Sequence, residues 1–215
     1  MLVVVQIMNY GVLTTRDYKL LVDSINQTAN NECNVYVEIG SHWAGTSRAM
    51  ILLLEELKRK STYIGIDLNM LLGHPGRKFI PRDKWQEKIS PLQLQYCSPK
   101  FIEGASFEIS SKIPNELVWV FVDGCHCYGC VKKDIEHYAW RIIKDGYILF
   151  HDASEYYYHY KANQRYHGKV ENEYGVMRAI EEAEVLKKNF SLITKTIPDH
   201  QHARMLGGTY CYKRL

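Results

Sequence analysis

Two aspartates each close an apolar run: Asp123 follows Val118–Val122, and Asp152 comes two residues after Tyr147–Phe150. A histidine stands close to each, His126 after the first and His151 before the second. Carboxylates beside imidazoles can hold a divalent cation or move a proton near neutral pH. If both runs are strands of an open α/β sheet, these groups sit at the carboxyl ends, where such folds collect ligands. Cys125, Cys127 and Cys130 occupy the same stretch as C-x-C-x-x-C. Three thiols so spaced read as a soft-metal or redox cluster, or as ordinary thiols of a loop and helix start. The spacing matches no common zinc pattern, and Cys33, Cys97 and Cys211 show no second paired spacing.

A second set of residues lies upstream. The segment VEIGSHWAGTS, residues 37–47, joins a β-branched run to a helical pattern through Gly40 and Gly45. Glycines there let a ligand approach the backbone, and a helix N-terminus offers free N–H groups. The spacing E-x-G-x-x-x-x-G is neither the G-x-G-x-x-G of dinucleotide binders nor a phosphate loop, which would carry a Lys. It suits a ligand with a ribose and a carboxylate better than a triphosphate. Asp67 closes the next apolar run, 27 residues after Gly40, where an acid can accept both ribose hydroxyls.

These residues need elements to position them. Apolar spacing predicts a helix over Tyr18–Ala29 and strands at Val35–Ile39, Tyr63–Ile66, Phe101–Glu103, Val118–Val122 and Tyr147–Phe150. A helix is expected over Arg48–Lys60, capped by Thr46 or Ser47 and ending in Lys58, Arg59 and Lys60. Another runs over Val131–Ile143, with Gly146 at its C-terminal turn. Val176–Lys187 reads as helical, and Ser191–Ile197 with Thr209–Lys213 as a final pair of strands. Strand and helix alternate, so the fold class is α/β, a mostly parallel sheet with helices on both faces. Residues 69–98 read as irregular and 153–172 as polar and tyrosine-rich, each an insertion or cover around the core. Tyr156, Tyr157, Tyr158, His159 and Tyr160 read either as an aromatic lid or as amphipathic filler.

A chain of 215 residues forms one domain most economically. Its hydrophobic fraction of 46% and charged fraction of 24% are ordinary for a soluble protein. A formal charge of +3 on dispersed Lys and Arg gives no basic stripe, so neither nucleic acid nor an anionic membrane is an expected partner. No apolar run approaches the ~18–20 residues of a membrane span. The opening MLVVVQIM lacks a basic n-region and a small-residue cleavage site, so a cytoplasmic protein with reduced thiols is expected.

VEIGSHWAGTS, YIGIDLN, FIEGASFE and DGCHCYGCVKKDIEHYAWRIIKDGYILFHD together resemble the class I S-adenosylmethionine-dependent methyltransferases. The D-G-x-H-x-Y string is similar to that of a small-molecule branch, the macrocin O-methyltransferase and cephalosporin-hydroxylase-like groups. The resemblance covers about residues 33–152. It implies a Rossmann-like methyltransferase fold with seven strands, the last antiparallel. It implies that Glu38, Gly40, Ser41 and Gly45 surround the methionine part of S-adenosyl-L-methionine, that Asp67 holds its ribose, and that Gly104, Ala105 and Ser106 flank its adenine. Asp123 would lie near the methyl donor, with His126 and Tyr128 on the substrate side.

Several relatives of this kind hold a divalent metal at the ends of the fourth and fifth strands, which maps to Asp123, His151 and Asp152. His151 replaces a second acid, so Mn²⁺, Fe²⁺ or Zn²⁺ suits the set better than Mg²⁺. The implied reaction is O-methylation of a small-molecule acceptor, with His126 as base, though a histidine that only fixes the loop fits the residues too. Assembly with further copies of the chain is left open. Two other functions fit the same residues: a non-haem iron oxygenase using the two histidines and a carboxylate, and a cofactor-binding protein without turnover.

Overall fold

The computed structural model describes residues 13–28, 31–68, 81–153, 175–196 and 208–215. Residues 69–80, most of the 153–172 segment and the five-residue aromatic run within it lie outside the described residues.

The elements in chain order are α1 (Thr15–Gln27), β1 (Val35–Ile39), α2 (Gly45–Glu56), β2 (Ser61–Asp67), α3 (Pro81–Ile89), β3 (Cys97–Glu103), β4 (Leu117–Val122), α4 (Tyr128–Tyr138), β5 (Ile142–Phe150), α5 (Val176–Glu182), α6 (Glu184–Asn189), β6 (Phe190–Lys195) and β7 (Tyr210–Arg214). They build one seven-stranded sheet in the order β3-β2-β1-β4-β5-β7-β6. The first five strands are mutually parallel, and β7 runs antiparallel to both β5 and β6. This is the α/β architecture that the alternation and the resemblance imply.

Period-two alternation divides each central strand between two cores. Val37, Ile39, Ile64, Ile66, Val120 and Val122 face one way, against Val131, Ile135 and Tyr138 of α4 and Met177 and Ile180 of α5. Tyr36, Tyr63, Trp119, Phe121 and Tyr147 face the other way, against Leu21 and Ile25 of α1, Met50, Ile51 and Leu54 of α2, and Trp85 of α3. The second face is aromatic, and three of its strand rings place their polar handles on partners. Trp119 Nε1–H donates to Ser24 Oγ at 2.8 Å, Tyr147 OH to Gln27 Oε1 at 2.5 Å, and Tyr63 OH to Glu38 at 3.0 Å.

Several expected boundaries are corrected. The second helix is Gly45–Glu56, not Arg48–Lys60, and neither Thr46 nor Ser47 caps it. Ala44 holds the N-cap in a left-handed conformation, and Ser47 is buried inside the helix, where it donates to Glu38. Lys58 is also left-handed (φ 52°), which ends the helix before the basic run. Arg59 instead reaches back to Ile25 O, Thr28 Oγ1 and Tyr36 OH.

Gly146 caps nothing. The helix α4 ends at Tyr138, and Gly146 lies within β5. The β4–β5 ladder pairs Leu117 with Ile142 and then Trp119 with Tyr147, so β5 bulges over residues 143–146. A Cβ at Gly146 would sit 2.8 Å from Val118 O, which explains the glycine.

Residues 81–89, expected to be irregular, form α3, because Trp85 and Ile89 lie one turn apart and are both buried. Trp85 meets Phe101 with ring centroids 5.7 Å apart. The segment 176–187 is two helices, divided where Ala183 becomes extended.

Candidate active site

Parallel strands that end in step place their last residues on one edge. The ladder continues one residue beyond each strand: Gly40 N–H donates to Ile66 O at 2.8 Å, Asp123 N–H to Ile39 O at 2.8 Å, and His151 N–H to Val122 O at 3.0 Å. Gly40, Asp67, Asp123 and His151 are thereby fixed side by side at the carboxyl edge, as an open α/β sheet requires of its ligand site.

Gly40 has φ 89°, and a Cβ there would fall 2.2 Å from Asp123 O. Only glycine fits, because the β1–α2 turn lies directly on the loop after β4. The turn then passes through His42 and Ala44, both with positive φ. His42 N–H donates to Asp67 Oδ2 at 2.6 Å, so the turn holds the aspartate that ends β2. Burial raises the Asp67 carboxyl to about 6, against the hydrogen bonds from His42 and Leu68.

Gly40, Asp67, Gly104, Ala105, Ser106 and Asp123 line a single groove along this edge. All six are among the residues that the resemblance sets around the cofactor. It also sets Glu38, Ser41 and Gly45 there, and these stand behind the wall. Ser41 is buried under the turn and Gly45 opens α2. Glu38 is buried in the aromatic core, where it accepts from Ser47 and Tyr63. Burial raises its carboxyl to about 8, so it is neutral at pH 7.

His42, Cys125, Cys130 and Asp134 complete the groove and were not foreseen as its lining. Ser106 Oγ donates to Asp134, which burial raises to about 7. The readable signal was helical spacing: Asp134 follows Cys130 by one turn of α4.

Beyond the groove's Asp123 end, four titratable groups converge. His151 Nδ1 lies 2.8 Å from Asp123 Oδ1, and His126 Nε2 lies 3.5 Å from the same oxygen. Asp152 contacts both rings, with Oδ2 3.2 Å from His126 Nδ1 and Oδ1 3.7 Å from His151 Nδ1. Asp152 holds a left-handed backbone (φ 55°), a strained conformation that recurs where side chains are aimed for function.

Burial alone would raise the Asp123 carboxyl, but the two imidazoles hold it well below the carboxylate range. Burial alone would lower His151, and the Asp123 carboxylate instead raises it to about 9. His126 moves upward for the same reason, under Asp123 and Asp152. The cluster thus carries its own compensating charge. Asp123, His126 and His151 can each offer one donor atom, all within 4.8 Å of one another. Tyr128 is directed elsewhere: its hydroxyl donates to Glu182 at 2.5 Å and Arg178 lies over its ring, so it fastens α4 to α5.

A methyltransferase-domain family model matches residues 37–153, more than half of the chain and all of this edge. The chain belongs to that family. An uncharacterised protein, R132, of Acanthamoeba polyphaga mimivirus is 26% identical over 136 residues, 63% of this chain. The match spans 59% of that protein's own length. The structure of the O-methyltransferase NovP superposes with a TM-score of 0.67 at 13% identity, over 95% of this chain and 82% of that one. The O-methyltransferase from Bacillus cereus, solved with SAH, gives 0.67 at 10% identity, over 100% and 91%. These two likenesses establish the Rossmann-like methyltransferase fold of this family member. Among the described residues no helix is long and apolar enough to cross a membrane.

Proposed function

We propose that this methyltransferase-family chain binds S-adenosyl-L-methionine and transfers its methyl group to a hydroxyl of a small molecule. The observation that carries the reading is the single groove joining Gly40, Asp67 and Gly104–Ser106 to the Asp123–His126–His151–Asp152 cluster. Gly40 lines this groove, and its missing Cβ lets the β1–α2 turn pack directly on the loop after β4 that forms the neighbouring wall. When bound, the cofactor supplies an electrophilic methyl group on a sulfonium.

The chain's own residues do the rest. Asp67, held by the His42 N–H, accepts from the ribose hydroxyls. Gly104, Ala105 and Ser106 flank the adenine, and Ser106 is anchored to Asp134. Glu38, Ser41 and Gly45 act from behind the wall, keeping the turn in shape. His126, placed between Asp152 and Asp123, takes up the acceptor's hydroxyl proton. Asp123 stabilises the imidazolium so formed. The free thiols support a reducing, cytosolic setting.

A divalent cation would be held by Asp123 and His151, two of the three donors that lie within 4.8 Å of one another, with Asp152 Oδ1 3.7 Å from His151 Nδ1. Such an ion would lower the acceptor hydroxyl's pKa. The imidazole favours Mn²⁺, Fe²⁺ or Zn²⁺ over Mg²⁺. The two imidazoles and one carboxylate also favour a second reading, an Fe²⁺ oxygenase. That reading predicts iron-dependent oxygen uptake, which a methyltransferase does not show.

Calorimetric titration of S-adenosylhomocysteine into chelator-treated protein, then with Mn²⁺ or Mg²⁺ added, tests the proposal. Micromolar binding, about −8 kcal/mol, is expected. Absence of heat in every condition overturns it. His126→Ala should lose at least tenfold in kcat, and wild-type turnover at saturating acceptor would remove the base assignment.

A further inference from the structure

The stretch between β4 and α4 carries a second donor set that the methyl-transfer chemistry does not use. Cys125, Cys127 and Cys130 each offer a sulfur, all within 4.8 Å of one another. Cys125 Sγ and Cys127 Sγ are 3.2 Å apart. Metal–sulfur bonds of about 2.3 Å place tetrahedral thiolates about 3.8 Å apart, so small rotations of the side chains suffice. The carboxylate and imidazole donors of Asp123, His126 and His151 form a separate group. The donors at this end of the sheet are therefore sorted by softness: sulfur in one cluster, oxygen and nitrogen in the other.

Three further observations bear on the sulfur cluster. Cys127 is the N-cap residue of α4, an 11-residue helix, and its side chain makes no capping hydrogen bond. The helix N-terminus favours negative charge on sulfur there. The loop is clamped from outside, since Gly175 N–H donates to His126 O at 3.0 Å, and a Cβ at Gly175 would fall 2.6 Å from Tyr128 Cβ. Access is also present, because Cys125 and Cys130 form part of the groove wall while Cys127 is buried.

We infer that Cys125, Cys127 and Cys130 form a trithiolate site for a thiophilic cation, Zn²⁺ in the first place, with its fourth position open to the groove. Three protein ligands and one open position is a coordination that zinc accepts. Each thiol gives up its proton to solvent as its metal–sulfur bond forms, and no oxidant or reductant is involved. A disulfide would use two of the sulfurs and leave the third without a role.

The site goes beyond the methyl-transfer reading and stands or falls separately from it. The test is titration of the full chain, freed of metal by chelator and kept reduced, with Co²⁺ as the spectroscopic probe. One equivalent should produce thiolate-to-cobalt charge-transfer absorption in the near ultraviolet, and one equivalent of Zn²⁺ should abolish it. Zn²⁺ should also shield three of the six cysteines from alkylation, mapped by peptide mass to positions 125, 127 and 130. Cys127→Ser and Cys130→Ser should weaken Zn²⁺ binding at least a hundredfold, and Asp123→Asn should keep the absorption. No charge-transfer absorption in the wild-type chain, or undiminished absorption from a folded Cys127→Ser protein, overturns the site. If the variants do not fold, the wild-type spectrum and alkylation map decide it alone.

Discussion

At the residue scale, the groove makes two sharp demands. Asp67 has one carboxylate oxygen held by His42 N–H, so the acid is oriented before any ligand arrives. Asp67→Asn keeps the shape but turns one acceptor into a donor. It should raise the Kd for S-adenosylhomocysteine about tenfold, about 1.4 kcal/mol, by calorimetry. Unchanged affinity would place the ribose elsewhere. Gly40→Ala must place a Cβ 2.2 Å from Asp123 O at a φ of 89°. A loss of about 2 kcal/mol in unfolding free energy is expected from the strain, with cofactor binding impaired because the β1–α2 turn has to move. Both residues were legible in the sequence, because strand ends and strand-to-helix glycines mark a parallel sheet's ligand edge. Asp134, Cys125 and Cys130 were not legible as groove lining. Which face of α4 meets the groove depends on how α5 holds it, through Tyr128, Arg178 and Glu182.

At the element scale, the strands' positions could be read, while the helix ends and the starts of β3 and β5 could not. Val35–Ile39 was recovered with its exact bounds, since a β-branched run between polar residues has little freedom. The start of α2 was misplaced because its N-cap is a left-handed alanine, while the hydroxyls expected to cap it are recruited into the core. Here tertiary demand overrode local capping preference. Gly146 misled for a related reason: a glycine after a helical pattern signals a helix end, but this one serves a bulge against β4. The strands' aromatic face gives a prediction at this scale. Trp119 is fully buried beside Tyr36, Tyr63 and Phe121, and its Nε1–H is committed to Ser24 of α1. Trp119→Ala should cost about 3–5 kcal/mol in urea unfolding. A cost below about 1 kcal/mol would mean that α1 does not depend on that face.

At the scale of the whole molecule, the two cores are unlike. The face under α4 and α5 is mostly aliphatic, whereas the face under α1, α2 and α3 holds aromatic rings and one carboxyl, Glu38. That carboxyl ties the pH dependence of global stability to the second core. Its ordinary value is 4.5, and burial raises it to about 8 in the folded chain despite hydrogen bonds from Ser47 and Tyr63. The folded state therefore binds a proton that the unfolded state has released between those two values. Stability must fall as pH rises through this window, and be flat with respect to this group below about 4.5 and above about 8. At 1.36 kcal/mol per unit the full loss is roughly 3–5 kcal/mol. Asp67, raised to about 6, Asp134, raised to about 7, and His151, raised to about 9, act in the same direction, so the wild-type slope contains them all. Glu38→Gln cannot ionise and keeps the shape, so the difference between the two proteins isolates Glu38. The variant's unfolding free energy should change less between pH 5 and pH 8, with the variant the more stable at pH 8 and near the wild type at pH 5. Denaturant unfolding across that range is the measurement. Parallel curves for the two proteins would show that Glu38 is ionised inside the aromatic core, and that the hydrogen bonds from Ser47 and Tyr63 outweigh its burial.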